Sequence, residues 1–431
     1  MGLSKAEYYT HQFYTWEYRG RGWFVAEEAI HLEPPFIPFF RHAYPTPTID
    51  DGKRHTLVSK FLENIKGKKI EPSIEEDVLD YEELESFIYD EETNLKALQV
   101  KLPKERKITP EGIKALISML SQSDTPLSFE IIGNAKEIVI QFVGNDIHTI
   151  EVYIRAYFPE CTVILSDKYM EGIIIENIQT TLIDFGLQQE FVRPIQIPKN
   201  FNIDPLTGIF GVLEQLHDSE QGGIQILFQG AVNYWNDSIM NGVTLSDGNS
   251  FFDDDPNAPK LAMEKIQSPL FAVTIRAFAQ ANEQSDSSKI LEKISYALIN
   301  GSRSATNQLI PLPTEAYDFQ TRLEDIYLRE SHRLGMLLNA DELTTLLHFP
   351  SENIVSKKLF GTSRKTKEIP AIAKNKPFIL GDNYHNGITE KVSFSTEDRL
   401  KHTHIIGATG TGKSTLIANL ILQDIYKKES A

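Results

Sequence analysis

The stretch Lys401 to Thr415, KHTHIIGATGTGKST, constrains this chain more than any other. Its core, Gly407-Ala408-Thr409-Gly410-Thr411-Gly412-Lys413-Ser414, satisfies G-x-x-x-x-G-K-[ST] at every fixed position. A triphosphate concentrates negative charge and needs backbone donors close to it. Glycines, lacking a Cβ, let N–H groups turn inward and crowd the oxygens. The pattern therefore assigns Gly407 through Thr415 to ATP binding, with Lys413 reaching the β- and γ-phosphates and Ser414 placing its hydroxyl on Mg²⁺. Lys413 is also the candidate catalytic residue, neutralising charge that develops on the γ-phosphoryl group. A helix starting there aims the positive end of its dipole at the same phosphates. The flanks agree: Thr403 to Ile406 is short and β-prone, and Leu416, Ile417, Leu420, Ile421 and Ile425 recur at helical spacing.

A P-loop domain also needs further parallel strands, one bearing the carboxylate that holds Mg²⁺ through water. Only 17 residues (431 − 414) follow Ser414. The expectation is an N-terminal part of a larger ATPase, ending just inside a RecA-like α/β domain and not hydrolytically complete alone. The 431 residues are long enough for two or three domains, and 41% hydrophobic with 24% charged residues is ordinary for a soluble globular protein. No apolar run approaches the roughly 18 residues that span a bilayer, and the N-terminus has no signal-peptide core, so a cytoplasmic location is expected. One cysteine, Cys161, cannot form an internal disulfide and reads as a buried small hydrophobe. The formal charge of −17 does not advertise a nucleic-acid surface, although a ring-shaped motor can confine basic residues to its pore.

Along the chain, residues 1–105 form an arm region. It opens with aromatic and proline-rich sequence (Trp16, Trp23, Phe24, then Pro34 to Phe40) that either packs on its own domain or docks on a neighbouring subunit. Within it, Glu75 to Glu92 carries ten carboxylates with interleaved Val78, Leu79, Leu84, Phe87 and Ile88, the spacing of a solvated amphipathic helix. Residues 106–200 and 201–335 each read helix, strand, strand, helix, strand. The first has helices from Pro110 and from Asp146 with strands at 127–132, 137–143 and 162–165. The second has helices from Pro205 and from Ser288 with strands at 223–229 and 270–278 and a weak strand near 308–310. This pattern predicts an α+β region built from a tandem duplication, each half forming an antiparallel sheet covered by helices.

An insertion at 230–268 contains Asp253-Asp254-Asp255, read as a polar loop ending in a helix N-cap in preference to a cation site. Residues 336–376 supply a connecting helix and a basic, proline-broken linker, read as a solvated tether, with a DNA contact as the sharper alternative. The motor domain starts at 377–431. His402 and His404 fall at a spacing that can ligate metal, but no partner set accompanies them and a structural role is expected. His42, His148, His217 and His332 offer no ligand spacing, and no nucleophile–histidine arrangement can be nominated.

From about Leu337 onward the chain resembles HerA/FtsK-like ATPases, especially soluble relatives of the coupling proteins of type IV secretion and conjugation. The residues that carry the resemblance are Glu342-Leu343, His348-Phe349-Pro350-Ser351, Leu380-Gly381, Asp398-Arg399 and the P-loop itself. The resemblance implies a homo-hexameric helicase-like ring that translocates double-stranded DNA using ATP and Mg²⁺. It also implies partner proteins of secretion, nuclease or mobile-element type. Coupling proteins usually carry N-terminal membrane helices, and their lack here favours a soluble HerA-like motor or a mobile-element relative. The family's second acidic motif, sensor residue and trans-acting arginine lie outside these residues, so hydrolysis is expected of the parent protein. A different class of function stands beside it: a non-hydrolysing interaction or assembly module of a secretion or defence complex with a vestigial P-loop.

Overall fold

The computed structural model describes residues 5–40, 95–103, 106–123, 125–166, 178–199, 202–359, 367–385, 388–401, 403–407 and 412–427. The acidic segment 75–92, the linker residues 360–366 and His42 and His402 lie outside them. The protein is of mixed α/β class, dominated by one antiparallel sheet of nine strands.

The first half of that sheet follows from short, strongly patterned segments. Strand β1 (Lys96–Lys101) precedes helix α2 (Pro110–Leu120), where Pro110 opens the helix and the Thr109 hydroxyl accepts from the Gly112 N–H. Ile113, Leu116, Ile117 and Leu120 form its buried stripe. Strands β2 (Leu127–Asn134) and β3 (Ile138–Gly144) form a hairpin, and helix α3 (Ile147–Tyr157), capped by Asp146, leads to β4 (Thr162–Ser166). The second half repeats the plan: β5 (Gln179–Leu187), α4 (Thr207–Glu214), β6 (Gln221–Gly230), β7 (Leu270–Ala281), α7 (Gln284–Ser302) and β8 (Leu309–Pro311). Between β6 and β7 lie α5 (Trp235–Val243) and α6 (Ala258–Ile266).

Both halves thus run β-α-β-β-α-β, and both arrange their strands with the first beside the third, the fourth outside the first and the second outside the third. The sequence pattern does not display the first strand of either unit, so β1 falls inside the expected arm region and β5 inside the expected first unit. The expectation of two separate sheets is corrected as well. The second strand of each unit pairs with its counterpart, Leu127 opposite Phe228 through Asn134 opposite Gln221, and the two four-stranded sheets become one. Two exposed edges would each leave a row of unpaired N–H and C=O groups; joining them removes both.

The apolar face of this sheet carries the main core, with Phe129, Ile131, Phe142, Ile224, Ile226, Phe228 and Ile275 all at or below 1% exposure and helices α2, α3, α4 and α7 packed over it. Each such side chain contributes about 2 kcal/mol by leaving water. The opposite face is covered by α8 (Phe319–Leu328), whose Ile326 packs on Ile132, Leu182 and Phe278. Strand β9 (Met336–Asn339) then adds to β7, so the segment expected to connect the platform to the motor begins as part of the sheet.

The aromatic arm packs on its own domain. Helix α1 (Lys5–Tyr18) buries Phe13 and Trp16 against Phe39, Phe191, Trp235 and Phe252, with Trp16 centred 5.2 Å from Phe191 and 6.2 Å from Trp235. The Trp16 and Trp23 indole N–H groups donate to the Ile37 and Leu187 carbonyls. The region 230–268 supplies the other half of this aromatic cluster. There Asp255 accepts from the Asn257 N–H just ahead of α6 and pairs with Arg193 at 2.6 Å, while Asn257 occupies the cap position.

Where the two halves meet, a Cβ added at Gly223 would lie 2.4 Å from the Ile131 carbonyl oxygen on β2. Gly223→Ala is expected to force β2 and β6 apart and to cost about 2 kcal/mol, measured as a lowered urea midpoint with the far-ultraviolet signal of the folded state retained. An unchanged midpoint would mean that the junction tolerates separation.

Candidate functional site

After β9 the chain forms α9 (Ala340–Leu346) and then reaches a small second sheet, the hairpin β10 (Phe378–His385) and β11 (Ile388–Phe394), followed by the short helix α10 (Thr396–Arg399). Residues 403–407 are irregular and pair with no strand among the described residues, so the strand expected at Thr403 to Ile406 is absent there. A β-prone segment needs a neighbouring strand to satisfy its ladder, and the described chain places none beside it.

Helix α11 (Lys413–Lys427) starts at the expected residue. Gly412 holds φ +86°, a backbone region in which a side chain would be strained, and its carbonyl accepts the first helical bond, from Leu416 N–H at 2.9 Å. Lys413 folds back so that its Nζ donates to the Gly407 carbonyl at 2.7 Å. The lysine therefore spans the loop from its last glycine to its first. Ser414 and Thr415 lie exposed in the first turn of α11. Gly407, Gly412, Lys413, Ser414 and Thr415 are thus brought to one helix N-terminus, while Ala408, Thr409, Gly410 and Thr411 lie outside the described residues. The fit to a phosphate rests on the Lys413 ammonium, held at the Gly407 carbonyl, and on the N-terminus of α11 beside it. His404 is exposed, and among the described residues no group of His, Cys, Asp or Glu is arranged to hold a metal ion.

The other residues carrying the family resemblance have structural partners. Asp398 closes the capping box of α10, whose N-cap is Ser395: its carboxylate accepts from Ser395 Oγ at 2.7 Å and Lys401 Nζ at 2.9 Å, and these contacts, Lys401 first, push its carboxyl down to about 2. Glu342 is fully buried. It accepts from Lys265 Nζ at 2.7 Å, from the Ile195 N–H and from the Asn339 N–H, closing a capping box at the start of α9. His348 and Ser351 converge on Asp204, through Nε2 at 2.9 Å and the Ser351 N–H at 2.7 Å. All three are at most 4% exposed, so this Ser/His/Asp set faces no solvent and offers a substrate no approach. It clasps the 348–351 stretch to the start of α4. Arg106 reinforces it by donating to the Pro350, Ser351 and Ile354 carbonyls. In the linker, Lys374 is tied to Glu390 at 2.9 Å and to Glu368, which accords with a tether.

A polar row that sequence reasoning missed crosses six strands of the large sheet. Cross-strand partners run Gln99–Gln141–Glu130–Gln225–Arg276–Asp184. Gln141 and Gln225 donate to Glu130 at 2.7 and 3.0 Å, Arg329 donates to the same carboxylate at 3.0 Å, and Arg276 donates to Gln225 at 3.1 Å. Arg276 lies 3.5 Å from Asp184 without hydrogen-bond geometry, so that contact is purely ionic. Arg329 reaches Glu130 from the left-handed C-cap of α8, φ 57°. Burial would raise the Glu130 carboxyl, but Arg329 and the glutamine amides outweigh it and hold it below the ordinary range. Beside the row, Asp325 accepts from Tyr317 and His332 and pairs with Arg276 at 3.3 Å.

Compared with known protein families and curated proteins, the chain matches no family model and no curated sequence. Among the described residues no helix is long and apolar enough to cross a membrane.

The Asp325–His332 contact gives a pH signature. Burial raises the Asp325 carboxyl, but the His332 bond and Arg276 overcome this and lower it; the His332 ring is raised, chiefly by its bond to Asp325. The lowered carboxyl stabilises the fold above about pH 4 and loses that contribution as pH falls through its folded pKa. The raised imidazole stabilises fully below about pH 6.5 and loses its share as pH rises through its folded pKa. His332→Gln is therefore expected to cost about 1.5 kcal/mol at pH 5.5 and clearly less at pH 8.5, measured by urea unfolding at both values. Equal costs would show that the ring is not charged in the fold.

Proposed function

We propose that this chain binds ATP·Mg²⁺ through the loop Gly407 to Thr415, as part of a HerA/FtsK-like motor that translocates double-stranded DNA. The observation that carries the reading is the position of Lys413, at the first residue of α11 with its ammonium folded across the loop onto Gly407. With a triphosphate bound, the Lys413 ammonium would exchange that carbonyl for phosphate oxygens, the N–H groups of the helix start would face the same charge, and Ser414 would offer its hydroxyl to Mg²⁺. Further support comes from the apolar surface of α11 and its approach: Ile406 is 93% exposed, and Ile417, Ile421, Leu422 and Ile425 are all at least 44% exposed. A helix apolar around most of its girth is the kind that the layers of a parallel α/β domain of RecA type cover.

In this reading the nine-stranded sheet, its helices and the arm form a platform, the linker up to residue 376 joins it to the motor, and the β10–β11 hairpin opens the motor. The homo-hexameric ring, the DNA substrate and partners of secretion, nuclease or mobile-element type follow from the resemblance of the 342–425 stretch.

The test is calorimetric titration of ATP·Mg²⁺ into the chain and into Lys413→Ala. Wild type is expected to bind, and the variant to bind about 100-fold more weakly, because an ammonium contact to phosphate oxygens is a charge-assisted hydrogen bond. Equal affinities would remove the loop from the binding site.

A further inference from the structure

We infer that Gln423 is a positioning residue through which nucleotide at the P-loop is felt by the hairpin β10–β11; this rests on the P-loop reading above. The side-chain amide of Gln423 accepts from the Ile379 N–H at 2.9 Å and donates to the Ile379 carbonyl at 2.9 Å. One primary amide thus satisfies both backbone groups of a single strand residue, as a neighbouring strand would. Ile379 pairs with Ser393 and Gly381 with Val392, so the ladder shifts register at this point and Leu380 is the extra residue. A bulge turns backbone groups out of the ladder, and Gln423 meets them there.

The geometry makes this contact directional. Gln423 lies ten residues beyond Lys413 (423 − 413) on the same uninterrupted helix, about 15 Å along its axis. A helix of this length moves as a body. Both bonds are 2.9 Å long, so a displacement of the helix by about an ångström, or a turn about its axis, takes the Gln423 amide out of reach of both partners unless Ile379 follows. Any shift of α11 as Lys413 leaves the Gly407 carbonyl for a phosphate must therefore carry Ile379 with it or release it.

On the far strand the hairpin is fastened to the linker. Ser393 Oγ accepts from the Lys376 N–H at 2.8 Å and donates to the Ala373 carbonyl at 3.2 Å, and Glu390 pairs with Lys374 at 2.9 Å. A displacement at the P-loop thus has a continuous route, α11 to Gln423 to Ile379 and β11 to 371–376. A side chain that only stabilised the hairpin would not respond to nucleotide.

The experiment is backbone hydrogen exchange on the full 431-residue chain, with and without ATP·Mg²⁺, in wild type, Gln423→Ala and Gln423→Glu, alongside the calorimetric titration of each. Without nucleotide, the Ile379 amide is expected to exchange about tenfold faster in Gln423→Ala than in wild type. With ATP·Mg²⁺, exchange across 378–394 slows in wild type and stays unchanged in Gln423→Ala, although that variant binds within about threefold of wild-type affinity. Gln423→Glu keeps the acceptor but loses the donor, so its nucleotide response is small at pH 7. It recovers relative to wild type as pH falls toward the ordinary glutamate pKa of about 4.3, where the acid regains an O–H. The same slowing in wild type and Gln423→Ala overturns the coupling and leaves nucleotide binding intact. Failure of wild type to bind ATP·Mg²⁺ overturns the P-loop reading and the coupling with it. Should Gln423→Ala not fold, absence of the low-pH recovery in Gln423→Glu overturns the coupling by itself.

Discussion

The pairing of β2 with β6 is the contact on which the rest of the structure depends. It joins two β-α-β-β-α-β units through the second strand of each, and Glu130 lies directly opposite Gln225 at its middle. A carboxylate buried there costs several kcal/mol unless it is hydrogen-bonded and paired. Gln141 from one side, Gln225 from the other and Arg329 from above supply those bonds. The requirement then propagates: Arg276 needs Asp184 and Asp325, and Asp325 is bonded by Tyr317 and His332, so 317–333 must lie over that face of the sheet. A register slip of one residue would turn the whole row to the other face, into the apolar core. The polar row thus fixes register where apolar packing alone would accept more than one.

This dependence explains which parts of the fold were legible in sequence. Helices α2 and α3 announce themselves through Thr109 with Pro110, through Asp146, and through a clean apolar stripe. The duplicated order of elements was legible for the same reason. Strand β1, KALQVK, is short and carries lysine at both ends, and β5, QTTLIDFGL, opens on three polar residues and sets Leu182 beside Ile183, which interrupts the period-two signal. The row itself was hidden because each member looks, within its own strand, like an ordinary solvent-facing residue. The available signal was collective: Gln or a charged residue recurs near the centre of β1, β3, β2, β6, β7 and β5 between apolar neighbours.

The start of α11 at Lys413 was legible for the opposite reason. Its chemistry is local, since glycines, lysine and serine must be adjacent in the chain to surround one phosphate group, and Lys413 opens α11 where the pattern puts it. Other residues in the resembling stretch proved to be fasteners: Glu342 closes a capping box and pairs with Lys265, His348 and Ser351 clasp Asp204, and Asp398 closes the capping box of its own short helix. Such roles depend on partners more than 70 residues away in two cases, Lys265 and Asp204, and spacing along the chain cannot reveal them. The β-prone residues before the loop mislead in the other direction, because a strand is a property of two segments and the described chain supplies one.

The central claim is that a sheet-based platform carries a nucleotide loop belonging to a DNA-translocating motor. Its most direct test is the rate of ATP hydrolysis, with and without double-stranded DNA, by the protein as its native host produces it. The account predicts hydrolysis that rises severalfold with DNA and disappears with Lys413→Ala. Hydrolysis indifferent to DNA, or surviving the loss of Lys413, would contradict it.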